Sequence, residues 1–311
     1  MNEYKPEGTL VKTGKNYEII SSIVGLENAL EKQIILESHV IMCDHNFNLH
    51  VELGGGIKGI IPREEVLYST EGNSVKDIAI LTRVGKAVCF KVTGFKQSHS
   101  GDVIAILSRK SAQRECLENY IATLIPGDII PTKVTHLENF GAFVDIGCGI
   151  VSLLSIDCIS VSRIAHPSAR MNVGDTVHTV VKSKDERGRI FVSLRELLGT
   201  WSENAERFHE GETVRGIIRS VENYGIFVEL APNLAGLAEY REDVYPGQTA
   251  ASYIKSIIPD KMKIKLIIID SDNSPIRLSP IEYFIDTNEI RHIDRWQYSP
   301  RSCRKTVETV F

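Results

Sequence analysis

The stretch Glu138-Asn139-Phe140-Gly141-Ala142-Phe143-Val144-Asp145-Ile146 decides the fold, because it returns 84 residues later as Glu222-Asn223-Tyr224-Gly225-Ile226-Phe227-Val228-Glu229-Leu230. A recurring unit has to be found before anything else, since it sets the architecture. The opening Gly127-Asp128-Ile129 matches Gly211-Glu212-Thr213 at the same offset, and Ser152-Leu153 falls on Gly236-Leu237. The offset then drops to 73 at Val173-Gly174-Asp175 against Pro246-Gly247-Gln248, and is 74 at Arg189-Ile190 against Lys263-Ile264. About eleven residues are therefore missing from the later copy between its third and fourth strands, where a loop tolerates deletion. A weaker copy lies 93 residues upstream, with Phe47-Asn48-Leu49-His50-Val51-Glu52-Leu53 answering Phe140 to Ile146 and Gly56-Ile57 answering Gly149-Ile150.

Each unit is a series of short Val/Ile-rich segments punctuated by glycine, which predicts five strands and little helix. In the middle unit the strands fall near 129–138, 142–147, 150–155, 176–185 and 189–194, with a long third-to-fourth connection at 156–173. That is the layout of the OB fold, a small Greek-key barrel that closes its own edges. Strand parity then assigns faces, because side chains alternate with period two. Ala142, Val144 and Ile146 share one face, and Phe143 and Asp145 share the other. Ile226, Val228 and Leu230 oppose Phe227 and Glu229 in the later copy, and Leu49, Val51 and Leu53 oppose His50 and Glu52 in the earlier one. The aromatic of each good copy is expected to point outward. Such a ring either stacks on a nucleic-acid base or seals a neighbouring linker, and parity alone leaves both open.

Phe140-Gly141-Ala142-Phe143-Val144-Asp145-Ile146-Gly147, then Gly149-Ile150, then Arg189-Ile190-Phe191-Val192-Ser193 resemble the S1 motif, the RNA-binding OB repeat named after bacterial ribosomal protein S1. The middle copy matches from end to end, the later copy follows closely, and the first is degenerate. The resemblance implies an all-β chain of three tandem five-stranded S1-type barrels joined by short helical linkers. The expected layout is an N-terminal extension at 1–30, barrels at 31–110, 127–195 and 211–270, helical linkers at 111–126 and 196–210, and a tail at 271–311. It further implies RNA stacking at Phe143 and Phe227, second rings at Phe140 and Tyr224, and weaker counterparts at Phe47 and His50. The acid and base expected around the hairpin before the fifth strand fall on Asp185 and Arg189, and Lys263 takes the basic position of the last unit. The chain departs from the pattern where a third-strand histidine is usual, having Ser155, Glu239 and Pro62 there, and where Pro259 and Ile104 replace an acid and a base. The middle barrel is thus expected to bind a single strand best, the last partially, and the first to serve packing or protein contact.

Composition bounds the rest. The 311 residues include 36 Lys plus Arg against 40 Asp plus Glu, so an anionic ligand has to be held by a local patch rather than by bulk charge. Aliphatic uncharged runs such as Leu266 to Ile269 fall far below the roughly 20 residues of a membrane helix. The first twenty residues are studded with charge and lack the apolar core of a signal peptide, so the expected location is the cytoplasm. Six scattered cysteines show no Cys-x-x-Cys and predict free thiols with no metal site. Gly54-Gly55-Gly56-Ile57-Lys58-Gly59 satisfies a dinucleotide fingerprint formally, but it runs into Ile60-Ile61-Pro62 instead of a helix and aligns with a hairpin. No cofactor is expected, and no nucleophile or acid–base pair singles itself out, so the chain reads as no enzyme. The expected partners are single-stranded RNA, mRNA in particular, and the small ribosomal subunit. The other open reading is a scaffolding factor that docks a ribosome, nuclease or transcription complex through its first barrel and tail, with RNA contact secondary.

Overall fold

The computed structural model describes residues 3–69, 76–97, 101–274 and 280–311. Among these, fifteen strands close into three barrels of one topology. The first barrel comprises β1 (Leu36–Cys43), β2 (Leu49–Glu52), β3 (Lys58–Ile61), β4 (Ala87–Gln97) and β5 (Val103–Ser108). The second comprises β6 (Ile129–Glu138), β7 (Gly141–Asp145), β8 (Val151–Ser155), β9 (Thr176–Lys184) and β10 (Ile190–Ser193). The third comprises β11 (Thr213–Glu222), β12 (Gly225–Ala231), β13 (Leu234–Ala238), β14 (Thr249–Ile258) and β15 (Lys263–Asp272). In each, the third strand runs parallel to the fifth, as in β13 against β15, which completes the closure that the repeated pattern predicts.

Closure puts one face of every strand inside, and the two-residue period decides which. Ala142, Val144 and Ile146 are buried, as are Ile226 and Val228, and Leu49, Val51 and Leu53. The aliphatic half of the repeated stretch is the barrel filling. The chain divides into two compact units, one of residues up to Leu124 with Asp145–Val151, the other of Ile125–Val144 with Ser152–Phe311.

The segments flanking the barrels are not free arms. In the first unit, α1 (Gly14–Ile20) and α2 (Ile23–Glu31) start on Thr13 and Ser22, whose hydroxyls accept N–H bonds from Asn16 and Gly25. Leu26 and Ala29 then join the core of the first barrel. In the second unit the tail forms the hairpin β16 (Arg295–Gln297) and β17 (Glu308–Val310), and Trp296 and Tyr298 enter the core of the third barrel. The tail carries Arg295, Arg301, Arg304 and Lys305, and part of this positive charge is spent internally, because Arg295 pairs with Glu308. The tail also lies along the start of β6, where Ile129 N donates to Arg291 O at 2.8 Å and Ile293 N to Gly127 O at 3.0 Å.

The motif glycine has a steric reason. A Cβ on Gly141 would sit 2.4 Å from Leu154 O, and one on Gly225 would sit 2.5 Å from Ala238 O. The second strand of the barrel crosses the third too closely for any side chain. Gly225→Ala should therefore lower unfolding free energy by about 1–3 kcal/mol, the usual range for overpacking, in urea denaturation of the full chain. Gly94→Ala, in β4 with nothing within 4 Å of its Cβ, should lose much less.

Candidate nucleic-acid interface

The outer face of the third barrel follows from register. Phe227 pairs with Leu237 across β12 and β13, and Leu237 pairs with Lys265 across β13 and β15. A ring, an aliphatic side chain and a cation thus stand in one row, with strands about 4.8 Å apart. Tyr224, at the turn into β12, meets Phe227 edge to face with centroids 6.1 Å apart and planes at 85°. It is 71% exposed, so its outer surface is open. Lys263 lies two residues before Lys265 on the same parity, and both are exposed. Among the described residues Lys255, Lys261, Lys263 and Lys265 make no ion pair, so the row has free cations at one end.

The second barrel repeats this arrangement. Phe140 meets Phe143 with centroids 6.0 Å apart at 88°, and Phe140 is 54% exposed. Phe143 and Phe227 are half-buried because their partner rings cover one edge of each. On β10 the outward position holds Phe191, which pairs with Leu153, at the place Lys265 occupies in the third barrel. His136 lies nearly parallel to Phe143, with centroids 6.4 Å apart at 23°, and its Nε2 is 2.7 Å from Glu138 Oε1. Asp185 accepts the backbone N–H of Arg189 at 2.8 Å and its guanidinium Nε–H at 2.7 Å. Those bonds hold the Asp185 carboxyl below its ordinary pKa, the backbone one contributing most. Arg189 is thereby fixed in direction while its side chain stays 67% exposed. Sequence reasoning names Phe140, Phe143, Asp185, Arg189, Tyr224, Phe227 and Lys263, and it misses His136, Phe191 and Lys265. The last two were legible from alternation along Arg189-Ile190-Phe191 and Lys263-Ile264-Lys265.

Among the described residues the first barrel lacks such a row. His50 pairs with Ile60, and Ile60 with Ile106, leaving aliphatic neighbours and no second ring on that face. Its Nε2 lies 3.3 Å from Asp44 Oδ2. Phe47, expected as a stacking ring, packs against the barrel core and has the Arg63 guanidinium 4.7 Å above its centroid. A ring with one face on the core and a cation over it is no open platform.

Two acids that share parity with the rings, Asp145 and Glu229, are not in water, contrary to the expectation from alternation, whereas Glu52 is exposed. Asp145 is buried and accepts N–H bonds from Glu7 at 2.7 Å, Gly147 at 2.8 Å and Gly149 at 3.0 Å. Burial, and then the neighbouring Glu7 carboxylate, push its pKa up to about 7. Glu7 itself accepts two N–H bonds from Arg109, at 2.7 and 3.0 Å. Glu229 is buried as well, because Arg170 from the 156–173 loop reaches it. Arg219 grips the same carboxylate through two bonds, at 2.8 and 3.0 Å. Beside them Asn233, fully buried, accepts from Val161 N at 2.9 Å and donates to Arg195 O and Gly199 O, both at 2.8 Å. Its own carbonyl accepts from Tyr298 OH at 2.7 Å. The loop of the second barrel, the linker and the tail thus converge on β12 and β13 of the third.

With that geometry in place, comparison is informative. Residues 123–195 match the family described as the S1 RNA binding domain. The matched segment is the second barrel, β6 to β10. The chain is 29% identical over 287 residues to small ribosomal subunit protein bS1 of Staphylococcus epidermidis, an alignment covering 89% of this chain and 69% of that protein. It is 27% identical over 289 residues to the bS1 protein of Staphylococcus aureus, with the same two coverages. Among solved structures, it resembles a multidomain protein with nucleic acid binding domains from Streptococcus pneumoniae, at 14% identity and a TM-score of 0.25, over 76% of this chain and 73% of that one. The matched segment includes the Phe140–Phe143 pair, the Asp185–Arg189 pair and Phe191.

Removing the shared carboxylate tests the junction beside the third barrel's row. Glu229→Gln should cost about 3–5 kcal/mol, the usual consequence of leaving buried charges without their partner, read as a lower urea midpoint. Arg170→Met leaves the Arg219 pair in place and should lose less.

Proposed function

We propose that the chain binds single-stranded RNA through the outer rows of its second and third barrels and acts in translation at the small ribosomal subunit. One observation supports this above all: the same crossed ring pair, at 6.0 Å and 88° and at 6.1 Å and 85°, recurs 84 residues apart on the outer faces of two barrels. Core packing alone gives no reason to repeat an exposed ring at that place. Stacking is indifferent to base identity, since every base has a π-face, and it contributes about 1–3 kcal/mol per base. Arg189 in the second barrel and the unpaired Lys263 and Lys265 in the third supply phosphate contacts beside the rings. Two modest platforms on one chain gain through effective concentration when a strand spans both. The bS1 relatives point to the ribosomal setting and, with it, to the cytoplasm. On this reading the chain is a holder of RNA and no enzyme. The described residues contain no helix long and apolar enough to cross a membrane.

The double variant Phe143→Ala/Phe227→Ala should weaken binding to an unstructured oligoribonucleotide at least tenfold in fluorescence anisotropy. Its melting temperature should hardly change, because Phe227 lies outside the third barrel's core cluster. Unchanged affinity would overturn the reading. Lys265→Ala should reduce affinity for all sequences alike and lessen the salt slope by about 1, as expected for one lost phosphate contact.

A further inference from the structure

Within the second unit a cavity of about 320 Å³ lies between the linker, strands β11 and β12, and the tail. Arg170, Arg207, Arg215 and Phe284 are among the residues that line it, and Glu229 and Glu282 line it too. The charges around it do not balance. Arg207 is satisfied by Glu282 at 2.8 and 2.9 Å, and its guanidinium stacks 4.3 Å over Phe284. Arg170 and Arg219, however, share the single carboxylate of Glu229. Arg215 is exposed and makes no ion pair among the described residues, although Asp272 lies on the same barrel. Three guanidinium groups therefore line the cavity against two carboxylates, one of which Arg219 also claims from outside it, in a chain whose formal net charge is -4.

A second observation points the same way. Arg170 is only 9% exposed, and its Nε has no hydrogen-bond partner among the described residues. Buried donors are nearly always paired, so this guanidinium is incompletely served by the protein's own acceptors. Surplus positive charge, an unused buried donor and a partly apolar wall meet in a volume near the lower end of small-molecule pockets, roughly 300–1,000 Å³. We propose that this cavity binds a phosphate monoester of mononucleotide size, with Arg170 and Arg215 holding the phosphate. Two sources offer that group, a free nucleotide or the 5′ end of an RNA. The proposal does not rest on the outer aromatic rows, which are other residues.

Isothermal titration of the full-length chain with AMP tests it, with adenosine and inorganic phosphate as companions. AMP should bind saturably, inorganic phosphate should compete with it, and adenosine should not bind measurably. Arg215→Ala, a change at an exposed and unpaired side chain, should weaken AMP at least fivefold, and Arg170→Met should do the same. The Phe143→Ala/Phe227→Ala variant should bind AMP as the parent does, so loss of RNA binding and loss of this site are separately visible. In that variant, competition of AMP by a 5′-phosphorylated oligoribonucleotide and not by its 5′-hydroxyl form assigns the site to RNA ends. No competition by either assigns it to free nucleotides. Absence of saturable AMP binding, or AMP affinity untouched by both arginine substitutions, would overturn the proposal.

Discussion

The constraint on which the rest depends is the closure of a five-stranded sheet whose side chains alternate. Once β7 and β12 are locked into closed barrels, Ala142, Val144, Ile226 and Val228 have no place but the interior. Phe143 and Phe227, one residue out of phase, have no place but the exterior. A one-residue slip would exchange the two sets, putting rings into a space filled by Ala and Val. The glycine at the head of each strand, pressed against the neighbouring strand's carbonyl, fixes where that phase begins. The outward position is thus set by the core's own requirements, whereas the choice of a ring to fill it, and its crossed pairing with Phe140 and Tyr224, is not.

How much of this was legible follows from distance along the chain. Barrel number, strand order and the outward phase of Phe143 and Phe227 are local or repeating properties, and the sequence states them three times over. Phe191 and Lys265 obey the same local rule and were equally readable. What the sequence hides is what covers a residue. Asp145 and Glu229 look like solvent-facing acids from strand alternation, but Glu7 and Arg170 reach them across 138 and 59 residues. Phe47 looks like a stacking ring until Arg63 is found over it. In each case the hidden element is a tertiary partner, which no period or spacing encodes.

The tail shows the same limit more strongly. Its composition, with Arg295, Arg301, Arg304 and Lys305, reads as a local positive cluster. Two of its aromatic residues nevertheless complete the core of the third barrel, where burial of large rings is worth more than the exposure of a few charges. The electrostatic contrast between barrels was also only half visible. Arg189 is tethered by Asp185, while the lysines of β15 are unpaired, so the barrel with the fuller motif does not hold the larger number of free cations.

Asn233 gives the chain a property its repeats conceal. One amide side chain ties a loop of the second barrel to the linker, and its backbone carbonyl takes the hydroxyl of Tyr298, 65 residues further on. Repeats that look interchangeable on paper are here interlocked like a knot with one shared crossing. A third barrel moved alone would leave Asn233 without its partners in the neighbour's loop, the linker and the trailing segment, so the unit that stays intact is the pair.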